Sequence, residues 1–224
     1  NKVEKARVLV EKLKSGMNIA CITDAGTPGI SDPGEELVRQ CCEAGIKVTA
    51  LPGAVACVTA LIISGLPTRR FCFEAFLPTD KKEHQRVLAE LQNETRTIVL
   101  YEAPHHLLRT LTELYEALGD RKASICRELT KKHETVFLTT LSEALVYYKE
   151  NPPRGECVLV LEGRSREEME AEKQQNWLEM PLEEHMAHYE AGGMDRKEAM
   201  KQVAKDRGIS KRDVYKMLLD AEEK

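Results

Sequence analysis

One stretch constrains this chain more than any other: Asp24-Ala25-Gly26-Thr27-Pro28-Gly29-Ile30-Ser31-Asp32-Pro33-Gly34-Glu35. Almost nothing in it can serve an apolar core. It follows an apolar run (Ile19-Ala20-Cys21-Ile22) and precedes an amphipathic one carrying Leu37, Val38, Cys41 and Cys42. The pattern predicts strand, glycine-rich turn, helix, the arrangement in which backbone N–H groups can approach a ligand closely. An ordinary connection between strand and helix needs only about 2–6 residues, so roughly a dozen of this composition read as a ligand loop. Asp32 as cap, Pro33 in the first turn and Glu35 three residues on carry the signals of a helix start. Ligand contacts are therefore assigned to Asp24–Ile30. Neither G-x-x-x-x-G-K-[ST] nor G-x-G-x-x-G is present, which favours a polar, non-phosphate ligand held by backbone groups.

Length allows one large or two modest domains. A net charge of −4 confines any nucleic-acid binding to a local basic patch. The seven cysteines lie scattered in apolar runs without C-x-x-C or Cys/His metal spacing. They read as small buried apolar residues of a reducing, cytoplasmic protein, and no metal is expected. The longest apolar run, Ala54 to Ser64, is too short to span a membrane. Val3, Ala6, Val10 and Leu13 already show helical spacing closed by Gly16, so earlier strands of an α/β domain are expected upstream.

The first half alternates as a parallel α/β domain does. The pattern predicts helix 2–15, strand 18–23, the ligand loop, helix 33–44, strand 46–51 and a helix over 54–64. The last is apolar on every side and is expected to be buried all round. Because it follows Pro52-Gly53 directly after a strand, its N-terminus should lie beside the first loop, where open α/β sheets bind ligands. Residues 1–68 thus form the C-terminal part of one α/β domain, with 65–68 as linker. A second α/β domain with a mixed sheet covers 69–163. Its predicted strands are 71–76, 96–101, 122–128, 134–139 and 156–162, and its helices 81–93, 104–118 and 141–149.

Residues 164–224 read as a polar linker, 164–177, and a helical tail. In that tail Ala204, Gly208 and Val214 stand at the A-x3-G-x5-V spacing of a helix-turn-helix, with Ser210 as cap of the second helix. From Asp195 to Lys216 there are eight Lys/Arg against four Asp/Glu, a local positive excess suited to nucleic acid. The alternative is a solvated helical hairpin.

The motifs Thr23 to Gly34, Ala50-Leu-Pro-Gly53, Ser64-Gly-Leu-Pro-Thr68, Phe73-Glu-Ala-Phe-Leu-Pro78, Tyr101-Glu-Ala-Pro-His105, Arg127-Glu-Leu-Thr-Lys131 with Glu134, and Gly155-Glu156 occur in order along the chain. With them the sequence resembles the tetrapyrrole methylase superfamily, and within it the branch acting on ribosomal RNA. The resemblance implies two α/β domains with S-adenosylmethionine in the cleft between them, a small helical C-terminal domain and a homodimer. It also implies methylation of a cytidine ribose 2′-hydroxyl in small-subunit ribosomal RNA, free or in the assembled subunit. Carried over residue by residue, it assigns Asp24, Ala25, Gly26, Thr27, Pro28, Ile30, Pro52, Gly53, Val55, Ala56, Tyr101 and Leu129 to the cofactor. The sequence begins after the family's N-terminal strand, so an incomplete cleft is expected, and Val55 stands where relatives carry serine.

The ribose hydroxyl is a weak nucleophile whose proton must be taken up as it attacks. Glu102, Glu128 and Lys131 are the catalytic candidates, with Glu134 beside them. Lys131 requires a lowered pKa, which Lys132 and Arg127 would favour. Arg127, Lys131, Lys132, Arg154, Lys205, Lys211 and Arg212 are the candidates for RNA contact. Two other readings stay open: a same-fold methyltransferase of a small tetrapyrrole-like substrate, and a non-catalytic RNA-binding fragment.

Overall fold

The helical spacing at the start of the chain becomes α1 (Lys2–Lys14), which buries Ala6 and Val10. It packs on α2 (Gly34–Glu43), where Cys41 is buried and Gln40 Nε2 donates to the Val3 carbonyl at 3.1 Å. A computed structural model describes residues 2–222. They divide into two compact units, with the division between Gly163 and Arg164.

The first unit is built on a mixed five-stranded sheet. Its strands are β1 (Phe71–Ala75), β2 (Thr97–Glu102), β3 (Lys122–Arg127), β4 (Thr135–Thr140) and β5 (Cys157–Leu161), in the order β1-β2-β5-β3-β4. β1 and β2 run parallel, and every other pairing is antiparallel. The helix between β1 and β2 makes the parallel crossover possible. That helix, α4 (Lys81–Gln92), starts where the Asp80 side chain accepts from Glu83 N–H. α5 (Leu107–Leu118) presents Leu107, Leu111 and Leu114 as one fully buried stripe. α6 (Leu141–Glu150) opens on a capping box between Thr140 and Glu143.

Strand alternation divides the core between the sheet's two faces. Ile98, Leu100, Ile125, Leu159 and Leu161 face α5 and α6 with Leu111, Leu141 and Tyr148. Val99, Cys126, Val158 and Val160 face the other way, against Cys57, Ala60 and Leu61 of α3 (Ala56–Ile63). The middle strands β2 and β5 are thus covered on both faces, which explains their near-continuous apolar runs. Each such side chain contributes about 1.5–3 kcal/mol on burial.

Four expectations are corrected. Segments 18–23 and 46–51 join no ladder among the described residues. Apolar content favours an extended backbone, but a strand exists only through hydrogen bonds to a neighbour; Ile22 and Leu51 stand 85% and 84% exposed. Second, α3 is not buried all round, because only one side meets the sheet: Cys57, Ala60 and Leu61 are buried while Val58, Ile62 and Ile63 are exposed. Third, Cys21 and Cys42 are exposed, although the other five cysteines are buried thiols. Fourth, the polar stretch after Gly163 is largely helical. α7 (Arg166–Glu179) buries no residue along its length, and its first turn is held by the Ser165 hydroxyl accepting from Glu168 N–H at 3.4 Å.

The second unit continues with α8 (Leu182–Ala191), α9 (Arg196–Arg207) and α10 (Lys211–Glu222) around Met186, Ala199, Val203, Ala204, Val214 and Leu218. Gly208 turns the chain at φ +66° between α9 and α10, a left-handed position that costs glycine nothing. Ser210 and Asp213 then cap each other's backbone N–H groups at the start of α10.

Candidate cofactor loops and a basic pocket

The loop after Thr23 is shaped by its own side chains. Thr23 Oγ1 donates to the carbonyls of Ala25 and Gly26, both at 3.1 Å. Asp32 Oδ1 accepts from Gly29 N–H at 2.9 Å and Gly34 N–H at 2.6 Å, so it ties the loop's end to the first turn of α2. The helix itself starts from Pro33 without a side-chain cap bond, so Asp32 acts one residue before the expected place and Glu35 completes no capping box.

The two predicted loops meet. Thr27 donates twice to the Ala54 carbonyl, from its backbone N–H at 3.0 Å and its hydroxyl at 3.2 Å. Gly26 sits at φ +76°, and a Cβ there would lie 3.2 Å from that same carbonyl oxygen. A Cβ on Gly53 would come within 2.9 Å of Thr27 Oγ1. A side chain at either glycine would thus press on the atoms that join the two loops. Asp24, Ala25, Ile30, Pro52 and Ala56 are left exposed around the joint, and Pro28 is half-buried. Asp24 has no ion-pair partner among the described residues.

Behind the joint, α3 is coupled to the sheet. The N–H of Cys57, an orphan donor of the first turn, donates to Tyr101 Oη at 3.2 Å. The Tyr101 ring meets Phe73 and Phe76 edge-on, at centroid distances of 4.9 and 5.7 Å. Burial is the main cause that pushes the Tyr101 hydroxyl up to about 12. It keeps its proton at neutral pH and so can donate as well as accept. Val55, Tyr101 and Leu129, expected as cofactor contacts, lie in this one apolar cluster.

The three catalytic candidates separate. Glu102 is buried, and both its oxygens are engaged: Oε1 accepts from Ala103 N–H at 2.7 Å and Oε2 from the Thr110 hydroxyl at 2.5 Å. It clamps β2 to α5, with each oxygen already accepting a hydrogen bond. Glu128 and Thr130 both adopt left-handed backbones, at φ +50° and +62°. Such positions cost about 1–3 kcal/mol each and persist where surrounding bonds impose them. Here Glu128 N–H donates to the Glu156 carbonyl at 3.3 Å and Thr130 N–H to Glu134 Oε2 at 2.6 Å. Glu134 is thus a loop brace. Lys131 Nζ pairs with Glu128 Oε1 at 3.1 Å, so it has a carboxylate partner rather than the cationic surroundings a basic amine would need.

Glu128 also borders a pocket of about 630 Å³ beside the edge strand β4. Arg127, His133 and Arg154 supply its basic groups, and Phe137, Tyr147 and Tyr148 its aromatic wall. Arg127 Nε donates to Thr135 Oγ1 at 3.1 Å and Nη1 to the Arg154 carbonyl at 3.3 Å. Burial pushes Tyr148 up to about 12, opposed by the Arg127 charge.

Comparison with known proteins decides the family. The family model for Tetrapyrrole (Corrin/Porphyrin) Methylases matches residues 1–145. The chain belongs to the tetrapyrrole methylase family. It is 44% identical over 223 residues to ribosomal RNA small subunit methyltransferase I of Synechocystis sp., covering 99% of this chain and 78% of that protein. Against the protein of the same name from Bacillus subtilis, identity is 45% over 215 residues, covering 96% and 73%. Among solved structures, the methyltransferase CobJ superposes with a TM-score of 0.56 at 19% identity, over 73% of this chain and 72% of that one. That likeness concerns the fold.

In the methylase's tail, the acidic residues are largely spent on structure. Asp195 and Asp213 cap helices, and Asp206 accepts from Tyr189 Oη and Gln202 Nε2. Arg207 is buried too, donating to the Met180 carbonyl and to His185 Nδ1. Lys205 and Arg212 stand exposed and Lys211 half-exposed, as does Lys132 in the first unit. The methylase residues that sequence reasoning missed are Ala54, whose carbonyl joins the loops, and Tyr147 and His133 at the pocket. Ala54 acts through its backbone and leaves no side-chain signal. Among the described residues no group of three or more His, Cys, Asp and Glu side chains is placed to hold a metal ion, and no helix is long and apolar enough to cross a membrane.

Proposed function

We propose that this methylase transfers the methyl group of S-adenosylmethionine to the ribose 2′-hydroxyl of a cytidine in small-subunit ribosomal RNA. The observation that carries this reading is the extent of the match to ribosomal RNA small subunit methyltransferase I. It runs through 99% of the chain and so includes the basic helical tail. A small tetrapyrrole substrate gives such a tail nothing to do.

The loops suit the cofactor chemically. A sulfonium cation favours a carboxylate and carbonyl oxygens, and Asp24 with the backbone of Ala25, Gly26 and Thr27 offers both. An adenine ring favours an apolar wall, which Val55, Tyr101 and Leu129 provide. The bound cofactor supplies the activated methyl group, which leaves alignment and proton removal to the protein. Glu128 is our choice of proton acceptor: Oε1 is engaged with Lys131, while Oε2 has no hydrogen-bond partner among the described residues. Lys131, Lys132, Arg154 and the tail residues Lys205, Lys211 and Arg212 would meet RNA phosphates. The reading includes a cytoplasmic homodimer acting on free RNA or on the assembled subunit.

The test is calorimetric binding of S-adenosylmethionine and S-adenosylhomocysteine, followed by tritium transfer from methyl-labelled cofactor to small-subunit RNA and to assembled subunits. Label recovered as 2′-O-methylcytidine is the expected result. Cofactor binding with label on neither RNA substrate rejects the RNA assignment, and the absence of cofactor binding rejects the enzyme.

A further inference from the structure

The pocket beside β4 has a composition that neither the core nor the cofactor loops require. Arg127 and Arg154 have no carboxylate at ion-pair distance among the described residues. The one carboxylate in the lining, Glu128, is matched by Lys131. The pocket therefore carries two unmatched guanidinium groups, with His133 beside them. Guanidinium forks favour phosphate over other anions because two parallel N–H groups fit two oxygens.

Opposite the charge stands an aromatic surface. Tyr147 is 47% exposed, and its ring is backed by Phe137 at a centroid distance of 4.8 Å and by Tyr148 at 5.0 Å. A half-exposed aromatic residue packed from behind by other rings can serve as a stacking platform. Asn151 Nδ2 is committed to the Tyr147 carbonyl at 2.9 Å, which leaves Oδ1 as an acceptor at the rim. A volume of about 630 Å³ admits one ring system with its sugar and phosphate.

We propose that this pocket binds a single nucleotide, with its phosphate on Arg127 and Arg154 and its base on Tyr147. The source is either a nucleotide within an RNA strand or a free mononucleotide. The strand source rests on the RNA reading above. Arg127 follows Cys126 in β3 and so points to the α6 face of the sheet, away from α3. A nucleotide seated there is a neighbour of the methyl acceptor, sharing with it the loop that carries Glu128, and not the acceptor itself.

The test uses the full chain and four proteins: wild type, Tyr147→Ala, Tyr147→Phe and Arg154→Gln. Each is titrated with a fluorescein-labelled ten-nucleotide single-stranded RNA by anisotropy, and with cytidine 5′-monophosphate by calorimetry. S-adenosylhomocysteine affinity is measured in parallel. Tyr147→Ala is expected to weaken the nucleotide ligand roughly tenfold or more, and Tyr147→Phe to restore it. Arg154→Gln should weaken RNA and lower the slope of log affinity against log salt by ~0.7. The Tyr147 dependence appearing in the RNA titration alone identifies the strand as source, and its appearance with the monophosphate alone identifies a free nucleotide. Binding of both RNA and the monophosphate that is equal in wild type and Tyr147→Ala overturns the pocket while leaving the methyltransferase reading intact. Loss of homocysteine-cofactor binding in wild type rejects that reading, and the two nucleotide titrations still judge the pocket. Binding of neither nucleotide ligand overturns it.

Discussion

Replacing Gly26 by alanine tests the joint between the two loops. The wild-type glycine sits at φ +76°, where an L-residue costs roughly 1–2 kcal/mol. An added Cβ would stand 3.2 Å from the Ala54 oxygen, closer than ordinary van der Waals contact, so that carbonyl must withdraw by a few tenths of an ångström. The same oxygen accepts both Thr27 bonds, at 3.0 and 3.2 Å. Losing either is worth about 0.5–1.5 kcal/mol. Together the effects come to ~1.5–3.5 kcal/mol set against the loop geometry. If the loop relaxes in the free protein and must be restored on binding, S-adenosylhomocysteine affinity falls roughly 10- to 300-fold at 1.4 kcal/mol per tenfold. Gly29→Ala is the control, because Gly29 is also left-handed, at φ +86°, but a Cβ there meets nothing within 4 Å. It should show only the backbone cost of ~1–2 kcal/mol. Calorimetry on both variants, with urea unfolding to confirm the fold, separates the two terms. Equal affinities for wild type and Gly26→Ala, with the fold intact, would refute the claim that this joint shapes the cofactor site.

Three further outcomes follow from the same geometry. Leu159→Ala, which empties a fully buried position at the centre of β5, should cost about 2–5 kcal/mol in urea unfolding; a loss below 1 kcal/mol would mean the sheet core is not packed as described. His185, fully buried against Trp177 and accepting from Arg207, has its pKa lowered by burial and then by the Arg207 charge. The unfolded chain therefore binds more protons, and the tail should lose stability as pH falls below about 6.5, an acid sensitivity that His185→Gln removes when followed by Trp177 fluorescence. Lys211→Ala with Arg212→Ala should weaken RNA binding and reduce the salt slope by ~1.4 for two single-strand phosphate contacts, and an unchanged slope would exclude these residues from the RNA surface.

Much of the second half of the methylase was legible in its residues. Period-two apolar runs bounded by turn signals anticipate β1 to β5 to within one or two residues, and Leu107, Leu111 and Leu114 announce the buried stripe of α5. Local patterns of this kind report which faces must leave water, and that is a property of neighbours in sequence. The same logic misled at 18–23 and 46–51, because being apolar and extended does not provide a pairing strand. It misled at α3 for a related reason: composition states that every side is apolar, but only the sheet determines which side is covered.

At the candidate site, the sequence alone picked out two loops, through glycines and prolines that no core would use. Only the tertiary structure decided that they meet at the Ala54 carbonyl, since a backbone acceptor has no signature in residue type. Glu102, Glu128 and Lys131 looked equivalent as titratable residues in motifs. Folding distinguished them: Glu102 has both oxygens consumed inside the core, while Glu128 and Lys131 pair on a strained loop. Tyr147 and Arg154 lie at a helix's end and in a loop, and become one pocket only because β4 pairs with β3 and brings α6 back over the sheet edge. Residue chemistry set what each group is able to do, and long-range pairing set which groups act together, because distance in space enters sequence only through the contacts the whole fold must satisfy.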